Sequence, residues 1–134
     1  MVVMPGGLDE IYPKSNERLA EWIIECGGCL ISEYEPGIKP QKYTFAKRDR
    51  LQSALSQAVL VIEVELESGT MHTVDAALRQ ERRMAVYANE IAFRTGNKFA
   101  KEKGADSIFD EQSLREFYMN LENEIVYEQM TLNL

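Results

Sequence analysis

The feature that most constrains this chain is the run Ala58-Val59-Leu60-Val61-Ile62-Glu63-Val64, apolar at six of seven positions. A strand with one wet face alternates apolar and polar residues; a strand apolar on both sides must be covered on both faces, as in a parallel sheet between helices. Gly69 breaks the chain after this run, and a helix is predicted from about Met71 to Arg82. The rest of the sequence repeats the alternation. Val2-Val3-Met4-Pro5 reads as a short strand ending in the sharp turn Gly6-Gly7. Asn16 stands at the cap position of a helix over 17–25, with Leu19, Trp22, Ile23 and Cys26 at helical spacing, and Gly27-Gly28 closes it. Cys29-Leu30-Ile31-Ser32 reads as a buried strand, and 35–42, with Pro36, Gly37 and Pro40, as a loop. A helix over about 44–56 would turn Phe45, Leu51, Ala54 and Leu55 inward. Strands follow at 84–88 and 107–109, separated by a short helix after Gly96, and a long acidic helix runs over about 111–130. Strict strand–helix alternation predicts an α/β, Rossmann-like three-layer fold with a mostly parallel sheet of about five strands, in a single domain over 1–134.

Composition narrows the class. The chain is 45% hydrophobic and 28% charged, a globular balance, and no apolar run approaches the roughly 20 residues of a membrane span. With no leader visible at the amino end, the expected location is cytoplasmic. A net charge of −7 opposes a polyanionic partner, but the charge is uneven. Residues 39–50 carry five cations against Asp49, whereas 110–134 carry six acids against Arg115, so a basic patch on an acidic protein is compatible with the total. Cys26 and Cys29 form C-x-x-C, the spacing of a redox pair or half a zinc site. The only histidine, His72, leaves a zinc set incomplete, and a redox pair belongs at a helix start rather than a helix end, which favours a structural or incidental role. No metal or cofactor is expected.

In open parallel sheets, ligands bind beyond the carboxyl ends of the strands. Three segments are predicted there: the turn containing Gly6 and Gly7, the stretch 33–50, and the turn 65–70. Ser68-Gly69-Thr70 opens a helix, where free N–H groups and the positive dipole end favour phosphate, with the Thr73 hydroxyl one turn on; the plainer alternative is an ordinary helix cap. His72 in the same helix has no nucleophile placed beside it by sequence and reads as solvated or structural. Lys39 to Arg50 interleaves cations with Tyr43 and Phe45, a mixture that suits single-stranded nucleic acid, or else the solvated face of an amphipathic helix.

These same segments resemble a known family. Gly7-Leu8-Asp9, Tyr12-Pro13, Asn16 and Leu19 are followed by Gly27-Gly28, Ser32-Glu33, Gly37 and Pro40. Then come Phe45, Arg48-Asp49-Arg50 and Leu55-Ser56, Val61-Ile62-Glu63, Ser68-Gly69, Thr73 and Ala77, and lastly Gly96-Asn97 and Gly104-Ala105. In order and spacing, from residue 6 to about 109, this set resembles the DNA-processing protein A (DprA/Smf) family. The resemblance implies a truncated Rossmann-type core lacking the family's N-terminal part. It further implies a module that binds single-stranded DNA and helps load a recombinase. Two departures stand out: Asp49 occupies the middle of the family's R-N-R, and no Pro-Gly follows the fourth strand at Tyr87-Ala88-Asn89. A looser resemblance, to phosphoribohydrolases and nucleotide-ligand sensors of the wider Rossmann group, covers Gly69-Thr70 but puts Thr73 where the catalytic glutamate belongs, which argues against an enzyme.

The leading expectation is a non-enzymatic DNA-binding module. Lys42, Lys47, Arg48 and Arg50 would contact phosphates, Phe45 would stack on a base, and Ser68-Gly69 would support the site. The alternative is a nucleotide-derived ligand held by Gly6, Gly7, Ser68, Gly69, Thr70 and Thr73. The last helix carries Leu114, Phe117, Tyr118, Leu121 and Ile125 at spacings of three and four. Part of that stripe must cover the chain's own sheet; the expectation beyond that is a homodimer through Phe117 and Leu121 or through an exposed sheet edge.

Overall fold

The computed structural model describes residues 1–89 and 94–132, with side chains described up to 125 in the last helix. Two compact units are present, Met1–Gln52 and Ser53–Leu134.

The first unit opens with strand β1 (Val2–Val3), followed by a 3-10 turn (Lys14–Asn16), helix α1 (Glu17–Glu25) and strand β2 (Leu30–Ile31). The strands pair in parallel, Val2 opposite Leu30 and Val3 opposite Ile31. Helix α1 has the predicted bounds, but Asn16 gives no side-chain cap hydrogen bond. Its inward residues are Ala20, buried, and Ile23, half-buried; Leu19 is 50% and Trp22 59% exposed, and Cys26 and Cys29 are exposed free thiols. Two strands of two residues offer too little surface to cover the whole apolar stripe. The helix ends as its glycines require: Gly27 has φ +79°, and Gly28 N–H donates to the Ile23 carbonyl at 2.8 Å. Helix α2 (Lys42–Ala54) starts two residues earlier than the apolar spacing suggests. Its inner side also differs from the expected one: Thr44, Asp49 and Ser53 are the buried residues, Phe45 and Leu51 are half-buried, and Ala54 and Leu55 are exposed.

In the second unit, β3 (Ala58–Val61), β4 (Arg83–Tyr87) and β5 (Asp106–Ile108) form a parallel sheet in that order. Helices α3 (Met71–Arg79), α4 (Thr95–Glu102) and α5 (Glu111–Leu132) connect and follow them. All five predicted strands thus exist in the predicted order with parallel pairing, as ladders of two and three strands. The core gathers Val61, Val64, Val74, Ala77, Met84, Val86 and Ala100. A second cluster joins Ala85, Ile108 and Phe117. Phe117 and Leu121 are each 6% exposed, so they cover their own unit and are not available as the dimer contact proposed for them. Tyr118, by contrast, is 55% exposed.

Strand β3 stops at Val61, short of the apolar run, because Asn97 takes over the backbone beyond it. Asn97, fully buried, accepts from Val64 N–H (2.9 Å) and donates through Nδ2 to the carbonyls of Ile62 (2.9 Å) and Tyr87 (3.4 Å). Its neighbour Gly96 donates to the Val64 carbonyl at 3.0 Å, and a Cβ there would lie 2.7 Å from that oxygen. The Gly-Asn pair therefore clamps the exits of β3 and β4 to the start of α4. Among the described residues, no helix is long and apolar enough to cross a membrane, and no group of His, Cys, Asp and Glu could hold a metal.

Candidate nucleic-acid interface

Most of the motif residues of the first unit build a platform. Asp9 accepts from Gly37 N–H through both carboxylate oxygens at 2.9 Å, and Gly7 N–H donates to the Ile38 carbonyl at 2.9 Å. A Cβ on Gly6 would sit 2.7 Å from the Ile38 carbonyl and 2.9 Å from Pro40 Cδ; one on Gly7 would sit 2.6 Å from the Glu35 carbonyl. Glycine at both positions is thus demanded by the close passage of residues 35–40, and the Gly7 N–H is already engaged. Ser32 Oγ donates to the Gly6 carbonyl (2.6 Å) and accepts from Tyr34 N–H (3.0 Å), tying the β2 exit to the β1 exit. Burial raises the Tyr34 phenol above its ordinary range, with Tyr43 and Glu33 adding to the effect.

Helix α2 leaves this platform after Pro40. The Thr44 hydroxyl donates to the Gln41 carbonyl (2.8 Å) and accepts from Gln41 N–H (2.9 Å), fixing the helix start. Residues 43, 47 and 50 are spaced four and three apart and share one helix face. All three are exposed: Tyr43 at 56%, with Lys47 and Arg50, and Lys42 stands exposed in the first turn. Arg50 Nη2 reaches both oxygens of Glu33 at 2.5 Å, a pair about half exposed on each side. Such pairs contribute about 0–1 kcal/mol and exchange readily for another anion.

Phe45 and Arg48 turn the other way. Arg48 donates from Nη1 to the Val3 carbonyl (2.9 Å) and from Nε to Asp49 Oδ1 (3.0 Å). Asp49 is 8% exposed, so the acid that departs from the family pattern neutralises a half-buried guanidinium. The same guanidinium lies 5.6 Å from the Phe45 ring centroid, and Tyr12 meets that ring edge-on at 5.9 Å and 69°. These three, with Ile11, Pro13 and Ala20, line an apolar cavity of about 270 Å³. The interleaved segment therefore has two sides: an exposed cationic one with Lys42, Tyr43, Lys47 and Arg50, and an inward one with Phe45 and Arg48. Tyr43 was not among the expected contacts, although its spacing to Lys47 and Arg50 is visible in the sequence.

Ser68, Gly69, Thr70 and Thr73 lie in the second unit. Ser68 N–H donates to the Glu65 carbonyl (3.0 Å), and Met71 N–H to the Ser68 carbonyl (3.1 Å). Among the described residues, the Gly69 and Thr70 N–H groups and the buried Ser68 Oγ have no hydrogen-bond partner. Thr70 and His72 are exposed and Thr73 is half-buried. The turn also carries Glu65 and Glu67. Glu65 is held below its ordinary range first by the Thr95 hydroxyl and also by Arg94, while Arg94 is raised by its hydrogen bond to Glu63, at 2.7 Å. A cluster kept anionic in this way sets itself against a phosphate at the same turn.

Several relatives share this framework. Protein Smf of Escherichia coli is 42% identical over 82 residues, 61% of this chain and 22% of that protein. The DNA processing protein DprA of Streptococcus pneumoniae is 37% identical over 82 residues, 61% of this chain and 29% of its own length. The crystal structure of the Streptococcus pneumoniae protein superposes with a TM-score of 0.71 at 29% identity, covering 85% of this chain and 41% of that one. A structure of DNA processing protein A from Helicobacter pylori, described for its single-stranded DNA binding mode, gives 0.73 at 27% identity, covering 90% and 55%. The chain thus spans between a fifth and a third of the length of these two curated relatives. The sequence pattern of the DNA recombination-mediator protein A family matches residues 1–119, across both units, and the chain belongs to that family.

Proposed function

We propose that the exposed face of α2 binds single-stranded DNA and that the chain serves in DNA processing as a non-enzymatic module, working in the cytoplasm alongside a recombinase. The observation that carries this reading is the start of α2. The positive end of a helix dipole favours acids in the first turn, yet α2 has none there and carries Lys42 instead. A cation at that position costs stability unless an anion answers it. Lys47 and Arg50 extend the positive face along one side, and Tyr43, one turn before Lys47 on the same face, offers a stacking surface. Cations spaced along a groove with an aromatic among them suit a phosphate backbone with unstacked bases. Arg48 supports the face from below by fastening α2 to β1. Phe45 borders the apolar cavity, where a base could stack against its ring.

Fluorescence anisotropy with a labelled oligo-dT tests the reading. Binding should appear at low salt, and Phe45→Ala and Tyr43→Ala should each weaken it by roughly 1–3 kcal/mol if each ring stacks one base. Loss of neither would refute the stacking role. A thermal-shift panel of nucleotides separates the small-ligand alternative at Ser68, Gly69 and Thr70, because stabilisation by a mononucleotide without oligonucleotide binding would favour it.

A further inference from the structure

The second unit carries a cavity of about 490 Å³ at the amino-terminal ends of its strands, the end opposite to the Ser68 turn. Its floor is apolar, made by Leu78, Met84, Leu121 and Ile125, and its rim carries Arg82 and Lys103. The volume falls within the range of small-molecule pockets, which combine an apolar body with a few placed polar groups.

The charges at the rim do not cancel. Arg83 is held by Asp106 (3.0 Å) and Glu124 (3.5 Å), which uses the acid that α5 contributes to the lining. Arg82 donates from Nη2 to the Ala54 carbonyl (3.0 Å), so its guanidinium is held in place by a neutral acceptor. Its Nε is shielded from solvent and has no partner among the described residues. Lys103 lies 5.6 Å from the Phe99 ring centroid, likewise with no carboxylate partner among the described residues. Among the described lining residues, Glu81 is the acid left beside these two cations. Cations often serve the carbonyl ends of helices, and α3 and α4 both end here. Those carbonyls are already served by backbone: Ala76, Ala77 and Leu78 accept from Gln80, Arg82 and Glu81, and Phe99, Ala100 and Lys101 accept from Lys103, Ala105 and Gly104. A guanidinium cannot shed its proton to escape burial, so its unpaired donor calls for an external acceptor.

We propose that this cavity binds a small organic anion, a carboxylate or phosphate head on an apolar body, with Arg82 and Lys103 on the head and the Leu78–Met84–Leu121–Ile125 floor under the body. The site is independent of the DNA face on α2. Amide NMR titrations of the full chain with hexanoate, hexyl phosphate and inorganic phosphate test it, the first two sharing an apolar body and differing in the carboxylate or phosphate head. At least one organic anion should shift the amides of Lys103, Gly104, Ala105 and Leu121, with a dissociation constant below about 1 mM, and inorganic phosphate should bind more weakly. Lys103→Met removes the charge but keeps an apolar stem, and should weaken binding roughly tenfold or more without changing oligo-dT affinity. The proposal is overturned if neither organic anion shifts these amides at about 10 mM, if Lys103→Met leaves affinity intact, or if inorganic phosphate binds equally well. Arg82→Met, which also loses the Ala54 anchor, is read only in a variant whose amide spectrum remains dispersed; there it should behave as Lys103→Met does, and undiminished affinity would count against the site.

Discussion

Asn97 is the side chain on which the second unit should depend most. Replacing it with alanine removes the acceptor of Val64 N–H and the donor to the Ile62 and Tyr87 carbonyls, all at a fully buried position. Val64 is 3% exposed, so its N–H gains no water in exchange. Leaving one buried donor unsatisfied costs about 1–3 kcal/mol. The hydrogen bonds to the Ile62 and Tyr87 carbonyls are only part-buried, so their loss adds less. With the space vacated by the amide, the expected loss is about 2–4 kcal/mol, a large part of a small domain's stability. Urea unfolding followed by circular dichroism at a helix band reads it. Asn97→Asp sharpens the test. It keeps the acceptor for Val64 but places a carboxyl where ionisation is penalised, so the folded-state pKa rises above the unfolded value. Stability is then greatest below the unfolded pKa and declines as pH rises through the folded one. A loss below about 1 kcal/mol for the alanine variant, or an aspartate variant insensitive to pH, would refute the clamp.

The glycines offer a contrast: Gly6→Ala should destabilise by about 1–3 kcal/mol, because its Cβ meets the Ile38 carbonyl and Pro40, whereas Gly69→Ala, with nothing within 4 Å of its Cβ, should leave the melting temperature unchanged. Equal effects in thermal melts would contradict the packing argument. The depressed Glu65 carboxyl contributes stability that is present above its unfolded pKa and lost as pH falls through the lower folded value; Thr95→Val should reduce that acid-side loss, and an unchanged pH profile would remove the pair from the account. Association should use exposed groups such as Tyr118, Leu60 of β3 or Ile62 just beyond that strand, and not buried Phe117. Light scattering should then show a dimer that Tyr118→Asp or Ile62→Lys weakens; a mass of 15.3 kDa at micromolar concentration would exclude it.

The element order was legible because an apolar strand and Gly-terminated helices leave few alternatives, and α1 was placed to the residue, but the expected cover on both faces of the 58–64 run is not found, since Leu60 is 38% and Ile62 56% exposed. The inner face of α2 was not legible, because Thr44 is buried there through hydrogen bonds and Asp49 through an ion pair, and Ser53 is buried with its hydroxyl unpartnered among the described residues, none of which an apolar count can register. The early end of β3 was hidden for the same reason: Asn97, more than thirty positions on, replaces the sheet bonds. The cationic segment was visible as a composition, but its division into an exposed side and an inward Phe45–Arg48 side needed the helix start at Lys42. Gly6 and Gly7 were read as phosphate contacts because a glycine turn after a strand suits both uses; the contacts show the close chain passage that requires them.

The most direct test of the central claim is the salt dependence of oligo-dT binding, compared between the wild type and a Lys42→Gln, Lys47→Gln, Arg50→Gln variant. Each phosphate contact on a single strand contributes about 0.7 to the slope of log affinity against log salt. If these three cations each hold a phosphate, the variant should bind more weakly at low salt, with a slope shallower by about 2. A wild-type chain that fails to bind at low salt, or a variant with the same affinity and slope, would contradict the account.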